Sequence, residues 1–275
     1  MNWLEITVPF KQEEEGTGNE KDILLLNLLD LGIQGVWEED SAYKFYLSDT
    51  RESKKKVEKI LGEREFFCNL VKDENWAETW KEFWHPNKIA RFVIVPSWES
   101  YQKADDEIII DLDPGMAFGT GAHESTALML ELLDNKNPSI VWDIGTGTGI
   151  LAIAAALLGA KVYAFDIDPL ATDAAKENAQ KNNVNKAIEV IEGDLLKDAN
   201  LFPKEFPDLV FTNIIAEVIV EFIPILKEKI PHFTWLLSGI ITPKASMVIK
   251  SLEEHGFSIK QRVDRGEWVA LEAVI

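Results

Sequence analysis

The sequence predicts an α/β protein: a doubly wound, mostly parallel sheet that ends in an antiparallel strand, preceded by a small α+β domain. Three observations predict it. From residue 139 onward, strand-like apolar runs alternate with helix-like runs, the order of a parallel sheet covered on both faces. The end breaks that order, because GFSIKQRV, the turn Asp264-Arg265-Gly266 and EWVALEAVI read as a hairpin. Residues 1–62 follow a separate pattern of short strands and two helices.

In that first segment WLEITVPF alternates like a strand, and EKDILLLNLLDLG is an amphipathic helix ended by Gly32. GVWEED, KFYLS and a charged helix, TRESKKKVEKILG, follow; its Lys54 to Lys56 are a solvated face. The loop KQEEEGTGNEK is acidic. A connector is expected over 63–89, where Trp76, Trp80, Phe83 and Trp84 share one helical face until Pro86 ends the helix, a face expected to pack. His85 has no partner that the sequence identifies.

The third segment, 90–275, begins with the strands RFVIVPSW and DEIIIDLDP. It continues with SIVWDIG (strand), TGILAIAAALLG (helix), AKVYAFDID (strand), PLATDAAKENAQKNN (helix) and AIEVIEGD (strand). PDLVFTNI, the helix AEVIVEFIPILKEKI, the strand FTWLLSGI and the helix TPKASMVIKSLEEHG precede the hairpin.

With 275 residues, 46% of them apolar, the chain can bury a core in each of two domains. No apolar run approaches the roughly 20 residues of a membrane span, and the start lacks the pattern of a signal peptide, so a soluble, cytoplasmic protein with no membrane partner is expected. One cysteine, Cys68 in EFFCNL, leaves no intramolecular disulfide or multi-cysteine metal site; it is expected to pack, and no metal is expected. Lys plus Arg is 28 against 47 Asp plus Glu, a net charge of −19. That sign argues against direct nucleic-acid binding, which draws on clustered cations, and favours a basic partner.

The turn DIGTGTG, residues 143–149, lies where the first strand hands over to its helix, the position of the ligand crevice in a doubly wound sheet. Gly145 and Gly147 allow a tight turn and close backbone approach, and Gly149 lets the helix pack against the sheet. The pattern is D-x-G-x-G-x-G, and the sixth position counted from Gly145 is Ile150, so the dinucleotide fingerprint G-x-G-x-x-G is absent. An acid two before the first glycine disfavours a pyrophosphate and suits an ammonium. The expected cofactor is S-adenosylmethionine, with Asp143 near its methionine end, Asp166 at the ribose and Asp194 near the adenine. No P-loop, H-E-x-x-H or G-x-S-x-G motif offers another chemistry.

A second glycine-rich run, DPGMAFGTGAHEST at 113–126, precedes the helix STALMLELLD. It reads as a flap over the methionine half of the cofactor: Thr120 and Thr126 offer hydroxyls, Phe118 excludes water, and Ser125 or Thr126 caps or begins the helix.

DPGMAFGTGAHEST, DIGTGTGILAIAAALLGAKVYAFDIDP and TNIIAEVI, in this order after an N-terminal α+β module and a Trp-rich connector, resemble the ribosomal protein L11 methyltransferase (PrmA) family. The resemblance covers the chain from about Trp76; Glu124 and Ile215 stand where family forms often have proline and leucine. It implies a Rossmann-like class I methyltransferase that methylates lysine side chains and the N-terminal amine of ribosomal protein L11, free of the ribosome, with the N-terminal module reading the substrate. Another protein, an RNA or a small molecule is the alternative acceptor. Thr126, Gly145, Asp166 and Asn213 carry over as cofactor contacts, and Asn213 is also expected to orient the acceptor nitrogen. Ile214, Ile215 and Ala216 stand where base methyltransferases have two prolines and an aromatic, which suits a flexible amine over a stacked base. No general base is identified.

Overall fold

The computed structural model describes residues 2–9, 36–39, 42–62, 64–72, 85–113 and 123–275. The EKDILLLNLLDLG helix, the KQEEEGTGNEK loop, the Trp-rich helix and residues 114–122 of the flap lie outside these. The chain divides into two units, Met1–Trp84 and His85–Ile275.

In the first unit β1 (Asn2–Pro9), β2 (Val36–Glu39), β3 (Ala42–Ser48) and β4 (Phe67–Lys72) form one sheet in the order β2-β3-β1-β4. The period of two along β1 buries Leu4, Ile6 and Val8, which pack with Phe45 of β3 and with Val57 and Leu61 of α1 (Arg51–Leu61). Thr50 caps that helix, its Oγ1 accepting from the Ser53 N–H at 3.0 Å. Two expectations are corrected here. Residues 67–72, assigned to a connector by sequence, pair antiparallel with β1. Cys68 is exposed, because β4 is an edge strand on which Phe67 and Leu70 also reach solvent.

The second unit opens with a small sheet. In it β5 (Asn87–Ile89) runs antiparallel to β6 (Phe92–Val95), and β6 parallel to β7 (Ile108–Asp111). His85, for which the sequence offers no partner, meets Glu99: Nδ1 lies 2.7 Å from Oε1, a contact made by folding across fourteen positions.

The helix α2 (Glu124–Leu133) then leads into the main sheet, whose seven strands are ordered β10-β9-β8-β11-β12-β14-β13. They are β8 (Ile140–Ile144), β9 (Lys161–Asp166), β10 (Ile188–Glu192), β11 (Leu209–Asn213), β12 (Thr234–Ile241), β13 (Ser258–Arg265) and β14 (Trp268–Val274). β8 to β12 are mutually parallel, and β14 closes the sheet antiparallel to both β12 and β13. Helices α3 (Ile150–Leu157), α4 (Pro169–Lys181), α5 (Ala216–Lys229) and α6 (Thr242–Glu254) connect them.

Alternation along the strands feeds two cores. Val141, Val162 and Phe211 join α2 and α3 in one, while Trp142, Phe165 and Val210 join α5 and α6 in the other. Each such buried large side chain contributes roughly 1.5–3 kcal/mol of transfer free energy, so these faces fix the strand register. Among the described residues no helix is long and apolar enough to cross a membrane. The chain passes from β8 to β9 and β10 on one side, then returns to β11 beside β8. That reversal opens a crevice at the carboxyl ends of β8 and β11.

Candidate cofactor site

A cavity of about 630 Å³ occupies this crevice, within the roughly 300–1,000 Å³ typical of small-molecule and cofactor sites. Its wall brings together six of the residues singled out from sequence: Thr126, Gly145, Gly147, Asp166, Asp194 and Asn213. Thr120 and Phe118 lie outside the described residues.

β8 runs into the loop 145–149, which turns tightly because the Gly145 and Thr146 N–H groups both donate to the Phe165 carbonyl at 2.9 Å. Gly149 (φ +83°) ends the turn as the N-cap of α3, and a Cβ there would lie 3.1 Å from the Ala175 Cβ. Its small size therefore serves packing against α4, not against the sheet as expected from sequence.

Asp166 at the end of β9 holds the same loop from the other side. Its Oδ2 accepts from the Gly147 N–H at 2.9 Å and its Oδ1 from the Asp168 N–H at 3.0 Å. A carboxylate has about four acceptor positions, so capacity is left for hydroxyl donors in the cavity.

Asp143 departs from its expected place. It is 1% exposed and is not on the cavity wall; Thr146 folds back over it and donates Oγ1–H at 2.7 Å. Burial pushes its carboxyl up to about 7, opposed by the Thr146 hydrogen bond and reinforced by the nearby Asp166 charge. Its carboxyl shapes the loop from beneath. Asp194 does face the cavity; Lys197, 2.7 Å away, holds its carboxyl below the usual value.

Asn213 ends β11 and meets α2. Its Nδ2 donates to Thr126 Oγ1 at 3.2 Å, while its Oδ1 is buried with no hydrogen-bond partner among the described residues. A buried carbonyl left unpaired costs about 1–3 kcal/mol. His123, not Ser125 or Thr126, is the N-cap of α2: its Nδ1 accepts from the Ser125 N–H at 3.3 Å.

Sequence reasoning missed two parts of the wall. Trp268 comes from the terminal hairpin and stacks edge-on against His123, ring centroids 4.5 Å apart; its apolar neighbours in β14 give no local signal. Gly239 sits at a bulge in β12, and a Cβ there would lie 2.3 Å from the Ile214 carbonyl oxygen. A lone glycine inside the strand FTWLLSGI is the kind of signal that marks close backbone approach. Ile144, Phe165, Leu195, Ile214 and Phe222 make the remaining wall mostly apolar.

The profile of the ribosomal protein L11 methyltransferase (PrmA) family matches residues 3–274. The chain belongs to the ribosomal protein L11 methyltransferase family. It is similar to the ribosomal protein L11 methyltransferase of Listeria monocytogenes serotype 1/2a, 45% identical over 216 residues, or 77% of this chain and 68% of that one. It is likewise similar to the ribosomal protein L11 methyltransferase of Lacticaseibacillus paracasei, 47% identical over 212 residues, or 74% of this chain and 65% of that one. Among solved structures, the ribosomal protein L11 methylase of Lactobacillus delbrueckii subsp. bulgaricus is 36% identical with a TM-score of 0.62, covering 69% of this chain and 98% of that one. In this L11 methyltransferase family member, the doubly wound sheet with its closing antiparallel strand is the Rossmann-like class I arrangement that the sequence led one to expect.

Proposed function

We propose that this enzyme transfers methyl groups from S-adenosylmethionine to lysine side chains and the N-terminal amine of ribosomal protein L11. The observation that carries the reading is a mostly apolar cavity lined by Thr126, Gly145, Asp166 and Asn213 at the carboxyl ends of the central strands, in a chain of this family. A carbonyl oxygen accepts from an N–H, the group that an amine acceptor brings.

The residues present fit the cofactor. Asp166 retains acceptor capacity for ribose hydroxyls, the backbone of Gly145 and Gly147 allows close approach, and Asp194 can accept from an adenine amine; Thr126 with the flap residues Thr120 and Phe118 would cover the methionine half. When bound, S-adenosylmethionine supplies an electrophilic methyl group on a sulfonium. A free lysine has a pKa near 10.4, so the chain's task is to present the scarce neutral amine. Apolar walls disfavour the ammonium by desolvation, and Asn213 Oδ1, by accepting an N–H, orients the nitrogen lone pair.

The N-terminal unit is the proposed substrate reader, and the acidic chain favours encounter with a basic protein and disfavours RNA backbone. The proposed setting is the cytoplasm, with L11 free of the ribosome, since lysines paired with RNA phosphates are not available as neutral amines.

The test is incubation with methyl-labelled S-adenosylmethionine and total ribosomal proteins and RNA from an unmethylated source. Label at amines of L11 is expected. Label on RNA, or on a different protein, overturns the acceptor, and no label despite cofactor binding points to a small-molecule acceptor.

A further inference from the structure

At the exit of β11 the cavity wall carries three consecutive residues, Asn213, Ile214 and Ile215. Ile214 turns inward: a Cβ on Gly145 would lie 2.4 Å from its Cγ2, and its backbone abuts Gly239. Ile215 does not. It is 62% exposed, and among the described residues only Ile167 is another exposed large apolar side chain on the wall. The strand order separates these two. Ile167 follows β9, beside Asp166 and on the side of the proposed ribose and adenine contacts, whereas Ile215 follows β11, across β8 from them. With the nucleoside over β9 and β10, the methyl-bearing end of the cofactor lies toward β11.

Nothing in the local structure asks for isoleucine at 215. It is the N-cap of α5, its carbonyl already accepts from the Val218 and Ile219 N–H groups at 3.1 and 3.2 Å, and its side chain caps nothing. A serine or aspartate there would satisfy one more N–H of the first turn. Left in water, a branched apolar side chain stabilises neither helix nor core. A partner that covers it does give it a use, and a lysine entering the site brings one: a flexible four-carbon apolar stem behind the amine.

We propose that Ile215 is a specificity-determining residue that packs against the methylene stem of an acceptor lysine. This rests on the proposed amine acceptor and deepens it, because it separates two kinds of amine on one substrate. A lysine nitrogen arrives on a stem that Ile215 covers. An N-terminal amine is borne directly on the backbone and has no such stem.

The experiment gives full-length wild type, Ile215→Ser and Ile215→Leu purified L11 below saturation, and follows methylation of each amine by peptide mass spectrometry over time. Cofactor affinity is measured by calorimetry and stability by the urea midpoint. Ile215→Ser should slow lysine methylation by about 10-fold or more, as lost apolar contact with a methylene or two does, while the N-terminal rate and cofactor affinity each stay within about 3-fold. Its urea midpoint should rise, because serine caps α5, whereas loss of a merely structural isoleucine lowers it. Ile215→Leu, which restores apolar contact, should recover most of the lysine rate. Equal losses at both kinds of amine, a loss that weakened cofactor binding or a lowered midpoint accounts for, or an unchanged lysine rate would overturn the inference while leaving the proposed function standing. No methyl transfer to L11 by wild type would overturn that reading and this inference with it.

Discussion

At the residue scale, the site is held by groups whose neighbours come from far along the chain. Asp143 is the clearest case. An acid whose folded pKa lies above its unfolded value keeps its proton in the fold where the unfolded chain has released it. The resulting penalty is absent below the ordinary value of 3.8, grows as pH rises toward about 7, and is complete above it. Asp143→Asn removes the penalty, so its stability relative to wild type should rise between about pH 4.5 and about pH 8 by roughly 3 kcal/mol, read from urea unfolding at the two values. A difference that stays constant with pH would count against the buried-carboxyl account. Gly239→Ala tests the cavity floor: with φ at +79° and the Ile214 backbone in the way, it should destabilise on the order of 3 kcal/mol and weaken cofactor binding, measured by unfolding and calorimetry. The glycines and acids of the D-x-G-x-G-x-G loop were legible because their spacing is local. Burial of Asp143 was not, since the fold of Thr146 over it depends on the turn itself.

At the element scale, period and turn residues identified the strands and helices of the main sheet, and the terminal hairpin followed from its Asp264-Arg265-Gly266 turn. Pairing was less legible. FCNLVK has no turn signal tying it to β1, and only the register across the sheet assigns it to the N-terminal unit. The elements of the main sheet are also joined by buried polar bonds that no periodicity announces. Trp235 Nε1 donates to Thr212 Oγ1 at 2.9 Å, linking β12 to β11 just before Asn213. Thr212→Val should leave that N–H unpaired and destabilise by about 1–3 kcal/mol, and adding Trp235→Phe should recover part of the loss, since no donor is then stranded. Equal destabilisation with and without the phenylalanine would mean that packing, not the hydrogen bond, sets the effect.

For the whole molecule, the division at Trp84 and the net charge of −19 carry the expectations. Removing residues 1–84 should leave S-adenosylmethionine affinity within about 3-fold of wild type while abolishing L11 methylation, because every described residue of the cavity wall belongs to the second unit. Retained methylation would remove the substrate-reading role from the N-terminal unit. If charge assists encounter, kcat/KM for L11 should fall by about 10-fold between roughly 50 and 500 mM salt, and a flat profile would count against steering. By itself the sequence determined the layered α/β fold, the place of the nucleotide loop and the acidic residue about twenty positions beyond it, because periodicity, turn glycines and short spacings are written within one or two elements. Only the tertiary structure decided that Asp143 lies under the loop, that Trp268 and Gly239 complete the wall and that Thr126 holds Asn213, because each depends on strands and helices far apart in sequence packing against one another.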